Sequence, residues 1–480
     1  MLTGQRILFD VADRTRAIGV GGLGAIHNLA QRVGLIKAID RNVNVLRRHL
    51  PYHESDHVLN IAYNLLAGGD RLEDIEIRRN DEAYLDALGA QRIPDPTTAG
   101  DFCRRFSVES IEALQSAINS VRLTVWRQQP DAFFDEAVID ADGAFVGTLG
   151  ECKVGMEISH KGVWGYHPLV LSLANTQEPL FIVNRSGNRP SHEGAAECFD
   201  RAAALAREAG FRLVTFRGDT DFSQTTHLDR WHSQGIRFIF GMDAAPNLVE
   251  RANSLGSSAW RRLERKPKYV VKTEPRQKAE RVKEGIVIDR EFENIRLLSE
   301  DVADFEYQPG ACKTTYRIVV VRKNLSVERG EKLLFDDLRY FFYITNDMAS
   351  SASEIVFTAN QRCNQENLVA QLKGEVRALH APVNDLVCNW AYMVMGSLAW
   401  TLKAWFALLL PETGPWSSRR REEKRATLGM EFKKFVNSFV HIPAQVIKTG
   451  RRIVLRVLAW NPSQRLFFRA VDRISSPMLC

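Results

Sequence analysis

The feature that most constrains the fold is a series of short apolar segments that begins near residue 135, where a long helical pattern ends. Many of these segments contain β-branched residues, and two segments of helical period separate the later ones. Strand patterns lie at 137–140, 145–146, 167–173, 180–183, 211–216 and 236–240, and helical patterns at 195–208 and 224–232. Strands that alternate with helices in this order predict a mixed α/β sheet.

The remaining sequence suggests how the chain divides. Its 480 residues are 45% hydrophobic and 25% charged, which excludes a disordered or collagen-like protein and allows about two to four domains. We predict a helical region at 1–128, the first part of the α/β core at 129–245, a β-rich insertion at 246–345, the second part of the core at 346–410 and a basic helical region at 411–480.

Positive charge is concentrated at the C-terminal end. The last 66 residues carry fourteen Lys and Arg but four Asp and Glu, a net charge of +10, whereas the whole chain has +6. Such a segment predicts contact with nucleic acid or with an anionic membrane, and charge does not choose between them. Its aromatic and aliphatic residues, which lie between the charges, favour a folded appendage.

The cysteines and the hydrophobic segments bear on localisation. Seven scattered cysteines form no Cys-x-x-Cys pair, which is typical of free thiols in a reducing compartment. Asp10 and Asp13 lie where a signal peptide would need an apolar core. Only residues 390–410 approach the length of a membrane span, about 20 residues, and they include Lys403. We interpret them as a buried helix and expect a cytoplasmic protein without a membrane partner.

Gly19, Gly21 and Gly24 fit the dinucleotide-binding pattern G-x-G-x-x-G. This pattern requires a preceding strand and a βαβ unit, and no convincing strand precedes it here. We therefore interpret the segment as a loop that begins a helix. An enzyme with a nucleotide cofactor is kept as an alternative.

Acidic residues follow two of the predicted strands, and a third acid lies on a later helical segment. Asp140 and Asp142 alternate along one strand, so they share a face of the sheet. Asp219 follows the strand at 211–216, and ligands of α/β sheets usually bind at such carboxyl ends. At about 100° per residue, Arg362, Glu366 and Lys373 share one face of a helix.

Three carboxylates flanked by cations suit a pair of hard divalent ions. Such ions can activate a water or a 3′-hydroxyl and stabilise the leaving oxygen of a phosphodiester. The structural alternative is that acids at strand ends form turns or cap helices, and that an Arg-x-x-x-Glu pair is a solvated ion pair. The joint order of the three segments favours the metal site.

In this order and spacing the sequence resembles the DDE transposases of bacterial insertion sequences, in the group with a Tyr-Arg-Glu-Lys signature and a β-rich insertion before the Glu. Arg362, Glu366 and Lys373 match the signature's spacing, whereas Ala359 stands at the place of its Tyr. The resemblance covers nearly the whole chain, including DRLEDIEIRRND, IPDPTTAGDFCRRF and HIPAQVIKTGRR. It implies an RNase H-like catalytic core and the cleavage and strand transfer of DNA.

The resemblance also implies roles for individual residues. Asp142, with Asp140 as the alternative, would act with Asp219 and Glu366 as catalytic residues that hold two Mg²⁺ ions, which Mn²⁺ can replace. DNA would contact Arg362, Lys373, Arg104, Arg105, Arg451 and Arg452. Terminal inverted repeats and target DNA are the expected partners, bound by a homodimer in the bacterial cytoplasm at the nucleoid. A catalytically inactive, transposase-derived DNA-binding protein is the alternative function.

Overall fold

The computed structural model describes residues 15–49, 51–265, 285–286, 289–290, 293–329, 332–450, 452–458 and 461–476. The helices in these ranges are α1 Leu23–Arg32, α2 Leu35–Asn42, α3 Glu54–Leu66, α4 Ile75–Arg79, α5 Glu82–Ala87, α6 Pro96–Cys103, α7 Val108–Trp126, α8 Ala195–Ala209, α9 Thr225–Ser233, α10 Pro246–Ser254, α11 Ala352–Asn360, α12 Cys363–Lys373, α13 Leu386–Leu408, α14 Ser417–Leu428, α15 Phe432–Phe439 and α16 Gln464–Ser475.

The strands in the same ranges are β1 Arg16–Ile18, β2 Glu136–Gly143, β3 Val146–Gly147, β4 Glu157–Ile158, β5 Trp164–Tyr166, β6 Leu169–Leu173, β7 Glu178–Val183, β8 Leu213–Gly218, β9 Arg237–Met242, β10 Arg261–Arg262, β11 Glu293–Tyr307, β12 Tyr316–Arg329, β13 Lys332–Thr345, β14 Ala444–Thr449 and β15 Arg452–Val457. The apolar segments predicted as strands between residues 135 and 240 form strands, and the ends of these strands differ from the predicted ends by a few residues.

A large mixed sheet forms the core. Its described strands run in the order β10-β11-β12-β13-β9-β8-β2-β6-β7. Strands β2, β8 and β9 are parallel, whereas β6 and β7 are antiparallel to their neighbours. The five strands from β7 to β9 therefore have the 3-2-1-4-5 order of an RNase H-like sheet, so the predicted fold class is confirmed.

The β-rich segment extends this sheet. Strands β11, β12 and β13 form a long antiparallel meander, and β13 pairs with β9 of the core from Phe342 opposite Met242 to Thr345 opposite Ile239. Part of the predicted insertion, residues 266–284, lies outside the described residues. The boundaries of the five predicted segments remain predictions.

Helix α13 packs in the interior, as its apolar sequence predicts. It contacts α3, α7 and β7, and the Trp405 indole on it donates a hydrogen bond to the buried Glu178 carboxylate at 2.8 Å. Arg122 and Trp126 of α7 donate to the same carboxylate at 3.0 and 2.9 Å. Glu178 thus ties two helices to the edge strand β7. Within the described ranges, no helix combines the length and apolar character that crossing a membrane requires.

The basic C-terminal region is only partly helical. Helices α14, α15 and α16 were expected there, but β14 and β15 form a hairpin whose first strand pairs with β1, with Arg16 opposite Val446. The predicted helical C-terminal region therefore contains three helices together with a hairpin that was not predicted. In β14 the side chains of Ala444 and Val446 are buried, whereas Gln445 between them is partly exposed. Strand β14 thus pairs with a strand that lies more than 400 residues earlier in the chain.

The glycine-rich loop lies against this tail. The Gly21 and Gly22 amides donate hydrogen bonds to the carbonyls of Ile442 and Val440 at 2.9 and 3.1 Å. A Cβ on Gly22 would lie 1.8 Å from the Phe439 carbonyl oxygen. These glycines therefore allow two backbones to pack closely, and the two amides are not available to cradle a phosphate. This geometry argues against the nucleotide-cofactor alternative.

Candidate active site

The parallel pairing of β2 with β8 brings the first two predicted acids to one edge of the sheet. Asp140 is opposite Arg217 in this pairing. Continuing the register by two residues places Asp142, near the end of β2, level with Asp219, which follows β8. Neighbouring strands are about 4.8 Å apart, so both carboxylates lie at the same carboxyl-terminal edge.

Asp140 has a structural environment that differs from that of Asp142. Its side chain is 1% exposed and accepts two hydrogen bonds from the Arg217 guanidinium, both at 2.7 Å. Arg217 also donates to the Thr358 carbonyl oxygen at 2.8 Å, which joins β8 to α11. Because Arg217 occupies both oxygens of Asp140, the geometry favours Asp142 as the first acid of the site.

Helix α12 carries the third acid and is fixed to the sheet by a buried glutamine. The Gln365 amide donates to the Val170 carbonyl oxygen of β6 at 3.0 Å and accepts a hydrogen bond from the Ser172 hydroxyl. Leu368 and Leu372 of the same helix are buried. The opposite face therefore presents Glu366 at the edge of the sheet. The role of Gln365 was not predicted, although its i, i+3, i+7 spacing with Leu368 and Leu372 places it on the apolar face of the helix.

The three predicted acids come together around one guanidinium group. Nη2 of Arg362 donates to the Glu366 carboxylate at 2.9 Å. Nη1 lies 3.9 Å from a carboxylate oxygen of Asp142 and 3.8 Å from one of Asp219. The Arg362 side chain is 19% exposed. A single cation therefore balances part of the charge of three carboxylates.

Burial dominates the electrostatics of the acids. It raises the pKa of Asp142 to about 7; the positive charge of Arg362 opposes this rise, and the charges of Asp219 and Glu366 add to it. Burial also raises the pKa of Asp219, again against the effect of Arg362. Carboxylates that share a poorly solvated edge are costly to ionise together. A cation of higher charge would relieve this cost.

The donor set suits a hard divalent ion, but its present arrangement does not form a ligand shell. The described residues contain no group of three His, Cys, Asp or Glu side chains positioned to hold a metal. Asp142, Asp219 and Glu366 offer only carboxylate oxygens, which Mg²⁺ prefers. Since Arg362 lies between them, the residues fit a metal when this guanidinium moves aside.

A cavity of about 360 Å³ adjoins the site at Asp219. Asp219 and Arg362 line one side of it, and Tyr340 and Tyr343 of β13 line another. Ala359, at the place of the signature's Tyr, also lines the cavity. The small side chain thus leaves space next to Arg362 where an aromatic ring was expected from the resemblance.

The other cations predicted to contact DNA lie in different environments. Lys373 donates to the Phe145 carbonyl oxygen at 2.7 Å, near the end of β2. Arg104 forms an ion pair with Asp101 at 2.5 Å. Arg105 and Arg452 are exposed. Arg451 lies outside the described residues. Among those that the structure describes, Arg362 alone contacts the three acids, and the functional roles of all these residues stay predictions.

An RNase H-like sheet that carries acids at the ends of β2 and β8 and on α12 defines the DDE class of DNA-processing domains. The model of the family Transposase DDE domain group 1 matches residues 15–478, and the chain belongs to this family. No curated protein matches the sequence. Among solved structures, a piggyBac transposase in a synaptic complex with hairpin DNA is 9% identical, with a TM-score of 0.37 over 98% of this chain and 90% of the other.

Proposed function

We propose that this chain is the transposase of a bacterial insertion sequence. It hydrolyses a phosphodiester at the terminal inverted repeats, and the freed 3′-hydroxyl then attacks target DNA. The observation that carries the proposal is the convergence of Asp142, Asp219 and Glu366 at one edge of the sheet, in a chain of the DDE transposase family.

In the proposed mechanism, Asp142, Asp219 and Glu366 hold Mg²⁺, or Mn²⁺ in its place, as a pair of ions. When bound, these ions supply the activation of the attacking water or 3′-hydroxyl and the stabilisation of the leaving oxygen. Asp142 must give up its proton to act as a ligand. Because burial raises its pKa to about 7 in the metal-free protein, the metal competes with this proton, and the affinity for the metal should increase as the pH rises to 7.

Arg362 has two successive partners in this mechanism. In the metal-free protein it neutralises the carboxylates. Once it leaves them, its planar guanidinium is suited to a DNA phosphate. Lys373, which lies at the end of the same helix, is proposed to contact a second phosphate. Together with Glu366 these residues form the Arg-Glu-Lys part of the proposed signature.

Contacts with the terminal repeats are assigned to the helical N-terminal region and to the basic tail. Two transposon ends must be paired for strand transfer, so we propose a homodimer on DNA. The bacterial cytoplasm, at the nucleoid, is the proposed location. The packing of β14 against β1 supports the view that both terminal regions contribute to one DNA-binding surface.

A catalytically inactive DNA-binding protein is the second candidate. Ala359 in place of the signature's Tyr and the ion pairs of Arg362 with all three acids favour it. Such a protein would keep its affinity for DNA and lack cleavage with either metal.

Cleavage of a labelled duplex that contains the DNA flanking the gene distinguishes these candidates. With Mg²⁺ or Mn²⁺, we expect the wild type to nick at the repeat end and Asp219→Asn to be about a thousandfold slower, since each ligand supports several kcal/mol of charge stabilisation. Asp221→Asn is the matched control, because Asp221 is an exposed acid two residues away and should retain activity.

The outcomes are separable. Equal nicking by the wild type and Asp219→Asn would refute the assignment of the acids. Tight DNA binding by both proteins without any nicking, even when two repeat ends are supplied, would establish the inactive alternative.

A further inference from the structure

A second cavity lies in the N-terminal helical region, on elements that do not form the candidate active site. It has a volume of about 220 Å³ and lies between residues of the α2–α3 connection, such as Arg48 and Tyr52, and helix α6. Its walls include Arg48, Tyr52, His57, Phe102 and Arg105. None of these residues belongs to the acid cluster, so the cavity needs a separate explanation.

The charge of this cavity is positive. Asp101 also lines it, but the neighbouring Arg104 forms an ion pair with Asp101 at 2.5 Å. Arg48 and Arg105 are exposed, and neither guanidinium has a hydrogen-bond or ion-pair partner among the residues that the structure describes. Two guanidinium groups without a counter-ion therefore border one concave surface, which favours an anionic ligand.

Between these charged residues the lining of the cavity includes the aromatic rings of Tyr52, His57 and Phe102. His57 is 3% exposed and stacks on Phe102 with the ring centroids 4.3 Å apart. Burial lowers the pKa of His57 to about 4, and the charge of Arg105 lowers it further, so the ring is neutral at pH 7. The net positive charge of the lining thus comes from Arg48 and Arg105 and not from His57.

We propose that this cavity binds one phosphate group of the DNA backbone, held jointly by Arg48 and Arg105. A guanidinium group presents a planar fork of donors that matches the oxygens of a phosphate. The concave shape favours a protruding backbone phosphate over a flat base edge. The inference rests on the proposed function, because it takes DNA as the ligand.

Since a backbone phosphate is the ligand, this contact fixes the register of the protein on the duplex and carries no direct sequence information. Arg48→Ala and Arg105→Ala should weaken binding to the terminal-repeat duplex and to an unrelated duplex of equal length by the same factor. We expect this factor to be about fivefold to fiftyfold at 0.1 M salt.

The salt dependence of DNA binding tests the proposal. Affinity for a fluorescent duplex is measured over a series of KCl concentrations for the wild type, both single variants and the double variant. Neutralisation of one phosphate contributes about 0.9 to the slope of log affinity against log salt. The double variant should therefore lose about one unit of slope. Arg212→Ala is the matched control, because this half-exposed arginine lies on the core, is paired with Asp131 and does not line the cavity, and its slope should not change.

Arg105→Lys separates loss of charge from loss of folding, since it should keep the slope while binding more weakly. An unchanged slope in the double variant, or a loss of two units, would overturn the inference of a single shared phosphate. In either case the proposed function would stand if the wild type nicks the repeat end. A wild-type protein that binds no DNA would instead refute the proposed function.

Discussion

Replacing Asp142 by Asn should stabilise the metal-free protein, and the gain should grow with pH. The Asp142 side chain is 17% exposed, and burial raises its pKa from 3.8 to about 7. The folded protein therefore keeps the proton of this carboxyl up to about pH 7, whereas the unfolded chain releases it near pH 4. The stabilisation that comes from the raised pKa of Asp142 is thus complete when the pH is below the pKa of this group in the unfolded chain, and it is lost as the pH rises to 7.

The magnitude follows from the size of the shift. About three pKa units correspond to about 4 kcal/mol of unfolding free energy lost over the whole range. Between pH 5 and pH 8 the wild type should lose about 2–3 kcal/mol relative to Asp142→Asn. The amide of Asn has nearly the volume of the carboxylate and carries no charge to bury, so the unfolding free energy of the variant should not decrease in this way.

Urea unfolding in EDTA, monitored by tryptophan fluorescence at both pH values, measures the difference. Asp140→Asn is the internal comparison: it leaves the buried Arg217 without its counter-ion and should destabilise the fold by about 3–5 kcal/mol. If the stability difference between Asp142→Asn and the wild type were the same at both pH values, the reasoning from burial would be refuted. Destabilisation by Asp142→Asn with no effect of Asp140→Asn would exchange the assignments of the two acids.

Two further predictions concern buried or paired cations. Arg362→Ala should raise the affinity for Mn²⁺ without DNA by about tenfold or more, because it removes a positive charge about 4 Å from the acids. Lys373→Ala should leave this affinity unchanged. The electron paramagnetic resonance signal of free Mn²⁺ measures the affinity of both variants. Burial lowers the pKa of Lys403 to about 7. The wild type should therefore gain about 2 kcal/mol of unfolding free energy relative to Lys403→Met between pH 7 and pH 9. Urea unfolding that gives the same stability difference between the two proteins at both pH values would contradict this prediction.

The sequence predicts the helices and strands better than it predicts which side chains contact one another. The strand that contains Asp140 and Asp142 follows from local pattern, and so does the shared helix face of Arg362 and Glu366. The distinction between the two aspartates does not, because it depends on Arg217, which lies 77 positions away in the chain. A local pattern cannot show which of two alternate positions on a strand meets a buried cation.

The same limit explains two other differences between the sequence-based predictions and the structure. Arg362 matched a signature spacing that implies contact with DNA, but its ion pairs with Asp142 and Asp219 arise only when β2 and β8 lie side by side. The hairpin of the tail was not predicted because β14 and β15 are only six residues long and lack a strict alternation of apolar and polar residues, and because the partner strand β1 begins at Arg16. Long-range pairing determined the structure in both places.

The pairing of β1 with β14 also imposes an order on synthesis. A chain that leaves the ribosome from its N-terminus exposes β1 and the glycine-rich loop more than 400 residues before their partners exist. The N-terminal segment can therefore complete its packing only after the last part of the chain has been translated. A product truncated before Ile442 would lack those partners, so incomplete chains would be poorly folded at the start as well as at the end.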